Sequence, residues 1–94
     1  MKSTTVVAQT KKGHRVFLEG TADIGWVGGA RYHVTYEQGT ILLQLAPEGK
    51  RKVTASKGGV IDLESKKVSA SMAGYDTVRV VHGNGRIAIE GVAA

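Results

Sequence analysis

Cysteine is absent from the 94 residues, and proline and tryptophan occur once each. Without cysteine there is no disulfide framework, no thiolate zinc cluster and no thiol nucleophile. No apolar run approaches the roughly 20 residues that a membrane-crossing helix needs, and no signal-peptide pattern opens the chain. The expectation is a soluble, cytoplasmic protein, acting in a host cytoplasm if phage-encoded, with no membrane partner and no cofactor. Acidic side chains are also scarce. Eight Asp and Glu stand against thirteen Lys and Arg, a formal charge of +5. That balance favours polyanionic partners: nucleic acid, DNA or RNA, or an acidic protein surface.

Glycine, by contrast, is abundant. Thirteen glycines suit many short strands joined by turns, and the length gives room for a single domain, 1–94, with one modest core. Arg31 to Leu45 organises the chain. Tyr32, Val34 and Tyr36 alternate with more polar neighbours, Gln38-Gly39 breaks the run, and Ile41, Leu43 and Leu45 resume the period of two. This is a hairpin in a sheet with one covered face, with Gly39 supplying the positive φ of its turn. The pattern returns 46 positions later over Thr77 to Ile89: Val34 falls on Val80, Gly39 on Gly85, Ile41 on Ile87, Leu43 on Ile89, and upstream Gly28 on Gly74. Val16-Phe-Leu-Glu-Gly20 resembles Ile61-Asp-Leu-Glu-Ser65 at an offset of 45. The predicted fold is therefore mainly β, a small barrel or sandwich with at most short helices. Two diverged β-link-β-β units, approximately 4–46 and 50–91, make it up in pseudo-twofold arrangement.

In chain order, Thr4 to Gln9 reads as an edge strand. Lys11-Lys12-Gly13 is a turn, and His14 to Leu18 is the returning strand. The basic tip formed by Lys11, Lys12 and Arg15 serves either as solvated edge protection or as a phosphate contact. From Glu19 to Ala30, four glycines exclude a long helix, and Thr21 is placed to cap a single turn. Trp26 reads as a core plug whose indole N–H meets a carbonyl, or alternatively as a base-stacking platform. Ala46-Pro-Glu-Gly49 is a turn. Lys50, Arg51, Lys52 and Lys57, with Lys66 and Lys67, would line a groove between the units or else keep a connector solvated. Val60, Ile61 and Leu63 are core candidates. Asp62 and Glu64 are expected to pair with Lys66 or Lys67, and Ser65 to start a helix that buries Val68 and Met72. Arg79 and Arg86 are further candidates for a phosphate-facing surface.

Leu18-Glu-Gly20, Gly25-Trp-x-x-Gly-x-Arg-Tyr-x-Val34 and Gly39-x-Ile-x-Leu43 resemble the SymE toxin family and the wider AbrB/SpoVT-like swapped-hairpin folds. The match runs over roughly Arg15 to Leu45. The second unit keeps the strands but has Ala73-Gly-Tyr75 in place of the Gly-Trp step. The link from Gly20 to Trp26 is shorter than the family's helix. The whole chain also resembles the small N-terminal modules of phage-type DNA cytosine methyltransferases, through Gly49-Lys-Arg-Lys-Val53. The resemblance implies interlocked hairpins that set basic residues over DNA, with two units in one chain standing for a dimer (a monomeric pseudo-dimer, or a homodimer of such chains).

Catalysis finds no support in the residues. His14, His33 and His82 lack metal-ligand spacing, so no metal site is expected. Gly83-Asn-Gly85 is a hairpin turn with no Lys-Ser/Thr and no helix behind it. The expectation is a non-enzymatic nucleic-acid-binding module contacting phosphates through Lys50, Arg51, Lys52 and Lys57, with Lys11, Lys12, Arg15, Arg79 and Arg86 extending the footprint. The alternative is a small phage-encoded inhibitor of a host defence complex, anti-CRISPR or anti-restriction, that acts by binding protein.

Overall fold

The computed structural model describes residues 4–6, 8–10, 13–75, 77–83 and 85–92. Among the described residues nine strands form two antiparallel sheets. In chain order they are β1 (Thr4–Val6), β2 (Ala8–Thr10), β3 (Gly13–Glu19), β4 (Arg31–Glu37), β5 (Thr40–Leu45), β6 (Arg51–Lys52), β7 (Val60–Glu64), β8 (Thr77–Gly83) and β9 (Arg86–Gly91). The larger sheet runs β1-β8-β9-β5-β4-β6 and the smaller β2-β3-β7. A 3₁₀ turn over Thr21–Ile24 follows β3, and helix α1 (Lys66–Ser71) follows β7.

Period-two patterning decides the faces. Tyr32, Ile41, Leu43, Val78, Val80, Ile87 and Ile89 are buried on the inner face of the large sheet. Val16, Leu18, Ile61 and Leu63 of the small sheet close over them. Gly39 and Gly85 both take positive φ, +78° and +74°, at the two hairpin turns. The Gly28–Gly74 match is one of sequence only, because Gly74 has a φ of +87° whereas in the first half Gly25 and Gly29 take that conformation.

Strand register expresses the repeat directly. At the middle of the β5–β9 pair Leu42 lies opposite Ala88, its own counterpart 46 positions on. At the middle of β3–β7, Phe17 lies opposite Asp62, its counterpart 45 positions on. A residue facing its own equivalent is what a twofold axis through an antiparallel pair requires, and both sheets have one. The leading strands exchange across this axis: β1 pairs with β8, and β6 pairs with β4. Thr5 opposite Val78 is matched by Arg51 opposite Tyr32.

Several local expectations need correcting. The stretch from Thr4 divides between two sheets instead of forming one edge strand, because β1 pairs with β8 and β2 with β3. The 3₁₀ turn is capped by Gly20 in the left-handed region, not by Thr21. Thr21 is fully buried and its hydroxyl donates to the Trp26 carbonyl (2.7 Å). Ser65 does cap α1, its Oγ accepting from the Val68 N–H (3.3 Å), and Val68 and Met72 are buried.

Asp62 does not pair with Lys66 or Lys67. Across the sheet from it, Arg15 donates through Nε (2.9 Å) and a terminal nitrogen (2.7 Å) to its two carboxylate oxygens. The Arg15 hydrogen bonds hold the Asp62 carboxyl below its ordinary range, against a smaller opposing effect of burial. A depressed folded-state value contributes stability above the unfolded carboxylate range that is lost as pH falls through the folded one. Asp62→Asn is therefore expected to lower the melting temperature modestly at neutral pH. In melts across a pH series, the gap from wild type should close once the pH passes below the ordinary Asp range.

Candidate functional site

A groove of about 470 Å³ opens along the outer side of β4. Tyr32, Val34 and Tyr36 form its floor. Lys50 and Arg51 line one end and Ser65, Lys66 and Lys67 the wall, with His33 on the rim. Three local structures place these side chains. The turn from Ala46 to Gly49 carries the chain over Tyr32 from β5 to the far edge of β4. Gly49 lies so close to the Tyr32 main chain that a Cβ would meet its N, C and O atoms at 2.5 Å. Lys50 and Arg51 emerge from that crossing. Meanwhile α1 is tied beside the β4–β5 turn by Ser71, whose carbonyl accepts from the Gly39 N–H (2.8 Å) and whose hydroxyl donates to the Glu37 and Thr40 carbonyls. The start of the helix then carries Lys66 and Lys67 to the groove, with the Lys67 ammonium 5.9 Å from the centre of the Tyr36 ring.

β4 leaves part of its edge unpaired here. Glu37 and Thr40 close a two-residue turn, so alternate residues from Glu37 back to Arg31 direct their main chain toward β5. The Ala46 N–H donating to the Arg31 carbonyl (3.0 Å) follows the same phase. Tyr32, Val34 and Tyr36 consequently turn their N–H and C=O groups the other way. Tyr32 meets Arg51 of β6, which extends no further along β4. The outward main-chain groups of Val34 and Tyr36 have no hydrogen-bond partner among the described residues.

The repeat does not carry the four groove cations over. The positions equivalent to Lys50, Arg51, Lys66 and Lys67 in the other half are Thr4, Thr5, Thr21 and Ala22, none of them charged. Lys50, Arg51, Lys66 and Lys67 have no ion-pair partner among the described residues. At the rim, His33 Nε2 lies 3.4 Å from Glu48 Oε1. The Glu48 carboxyl is held below its ordinary range by a hydrogen bond from its own main chain and then by His33. Burial pushes the Tyr32 phenol up, so the floor stays uncharged.

Other candidates lie elsewhere. Lys52 pairs its backbone with Arg31 at the end of β4 and does not line the groove. Lys57 has a φ of +51° and sits with Arg15 over the Phe17 ring, at 5.9 and 5.1 Å, while Arg15 is held by Asp62. Arg79 pairs with Glu90 (3.3 Å). Arg86 lines a separate depression of about 410 Å³ with Leu42, Val81 and Ala88 on the outer face of the large sheet. Lys11 and Lys12 lie outside the described residues. Trp26 is 1% exposed, which rules it out as a stacking platform. Tyr36 was the unmarked part of the site. Its residue pattern announces Tyr36 as core, and only the shortness of β6 leaves it half-open.

Compared with family models, curated proteins and solved structures, the chain matches none. Among the described residues no helix is long and apolar enough to cross a membrane.

Proposed function

We propose that this protein is a non-enzymatic nucleic-acid-binding module that holds the phosphate backbone in the groove beside β4. One observation carries the reading: four cations, Lys50, Arg51, Lys66 and Lys67, none of them held in an ion pair among the described residues, converge on one concave site. Unpaired ammonium and guanidinium groups around a groove form an electrostatic funnel for a polyanion, and each phosphate neutralised releases condensed counterion. A Ser65 hydroxyl beside them suits a phosphate oxygen. Lys52, Lys57 and Arg86 belong to the surrounding positive field rather than to the groove. The resemblance to swapped-hairpin DNA-binding folds is part of this proposal, with the exchanged β1 and β6 as its topological support.

The test is a salt series with a labelled oligonucleotide. Wild type should bind with a log–log salt slope of about −2.8 to −3.6, as expected for four contacts at roughly 0.7–0.9 each. Replacing Lys50, Arg51, Lys66 and Lys67 by Gln should abolish most of that slope, whereas Lys57→Gln with Arg86→Gln should change it little. No binding at low salt, or equal losses from the two sets, rejects the reading. The unpaired edge of β4 favours a second one. An extended acidic segment of a host protein complex would add as a strand and satisfy Val34 and Tyr36. On that reading the groove variant loses a protein partner in pull-down while free nucleic acid is not bound at all.

A further inference from the structure

Resting on the nucleic-acid reading, we infer that the groove takes a single strand, with one base stacked against Tyr36, rather than a duplex. The cations ring a concave site. A duplex presents its phosphates on a convex cylinder and its base edges only to an element able to enter a groove about 12 Å wide. Helix α1 has six residues and is anchored by Ser71, so it does not project as a reading helix. A single strand has no such requirement, because its bases splay away from the backbone and stack on aromatic faces.

Tyr36 is placed for that stacking. It is half-buried, and it lines both the 470 Å³ groove and a neighbouring cavity of about 220 Å³ formed with Glu37, Lys67, Ala70 and Ser71. Tyr36 and Lys67 together therefore divide the cation-lined groove from a smaller side pocket. A backbone running past Lys50, Arg51 and Lys66 would leave one base at this divide. Lys67, whose ammonium lies over the Tyr36 ring at 5.9 Å, would swing aside to offer charge to the adjoining phosphate and open that face for stacking. The unpaired N–H and C=O groups of Val34 and Tyr36 supply a donor and an acceptor row at the edge of the channel. Base edges carry both, so an unstacked base can meet hydrogen-bond needs that the protein leaves open.

The experiment measures anisotropy of a labelled 12-nucleotide single strand and of the same sequence as a duplex, with wild type, Tyr36→Leu and Tyr36→Phe. Circular dichroism melts confirm that each variant is folded. Single-strand affinity should exceed duplex affinity by at least about 10-fold. Tyr36→Leu keeps apolar volume but removes the ring, and should weaken single-strand binding on the order of 10-fold with the salt slope unchanged. Tyr36→Phe should retain wild-type binding. Equal or tighter duplex binding overturns the inference and leaves the nucleic-acid reading standing. So does an unaltered affinity in a folded Tyr36→Leu variant when the four-cation variant has lost binding. Failure to bind either form at low salt rejects the parent reading and this one with it.

Discussion

Truncating Trp26 to alanine is expected to cost about 3–5 kcal/mol, a large part of the roughly 5–15 kcal/mol that holds a domain of this size together. The indole is 1% exposed and tilts against the Tyr32 ring with centroids 5.5 Å apart. Its main chain is fixed from both sides. The Trp26 N–H donates to the Thr21 carbonyl (3.0 Å) and its carbonyl accepts from the buried Thr21 hydroxyl. The side chain therefore cannot swing out to let the site collapse, and the removed volume remains as a cavity. Unlike its main chain, the indole N–H has no hydrogen-bond partner among the described residues, contrary to the expectation that it meets a carbonyl. Trp26→Phe thus loses only apolar area, about 1–2 kcal/mol. Urea titrations followed by circular dichroism give both values, provided the m-value stays constant. A loss under about 1 kcal/mol for the alanine variant would contradict the packing described.

The fold was legible wherever burial has a period. Arg31 to Leu45 and Thr77 to Ile89 announce their hairpins because each buries every second residue against a single covered face. Val68 and Met72 announce α1 in the same way at helical spacing. Two glycine-marked turns and the repeat then give the order of elements. Partner choice has no local trace. Nothing in Thr4–Val6 or Arg51–Lys52 states that each pairs with the opposite half, since an edge strand of two or three residues is defined by what lies beside it. Thr21 shows a similar limit. Its residue type suits a cap, but the hydroxyl finds the Trp26 carbonyl because Gly20 has already taken the left-handed position that starts the turn.

The site was half-legible for a related reason. Lys50 and Arg51 stand out as a charge run, and a run is visible in one dimension. Lys66 and Lys67 are equally charged, but beside Asp62 and Glu64 they read as salt-bridge partners as readily as groove liners. The register of β3 on β7 instead brings Arg15 to Asp62 and frees both lysines for the groove. Arg15 and Arg79 drop out of the free cationic surface because each meets a carboxylate that only strand pairing supplies. The asymmetry between the halves became informative only once Leu42–Ala88 and Phe17–Asp62 had fixed which residues are equivalent.

Gly49→Ala is expected to destabilise the protein by roughly 2–4 kcal/mol and to disarm the groove with the same stroke. The cause is contact rather than φ. An added Cβ would stand 2.5 Å from the N, C and O atoms of Tyr32, main-chain atoms at the base of β4 that cannot rotate away. The crossing is bonded tightly as well: Gly49 N–H to the Ala46 carbonyl (2.9 Å), Ala46 N–H to the Arg31 carbonyl (3.0 Å), and the Arg31 guanidinium to the Gly49 carbonyl (3.1 Å). Relief must come from lifting the turn off Tyr32, and that moves the point from which Lys50 and Arg51 emerge. Stability and oligonucleotide affinity should therefore fall together, the affinity loss persisting at temperatures where the variant is still folded. Gly83→Ala is the matched control. Its Cβ would meet nothing within 4 Å and its φ is not positive, so it should be neutral or stabilise slightly through the unfolded chain. If the two alanine variants melt alike, the close crossing over Tyr32 is wrong. If Gly49→Ala melts lower but binds with full affinity while folded, the groove cations do not depend on that crossing for their position.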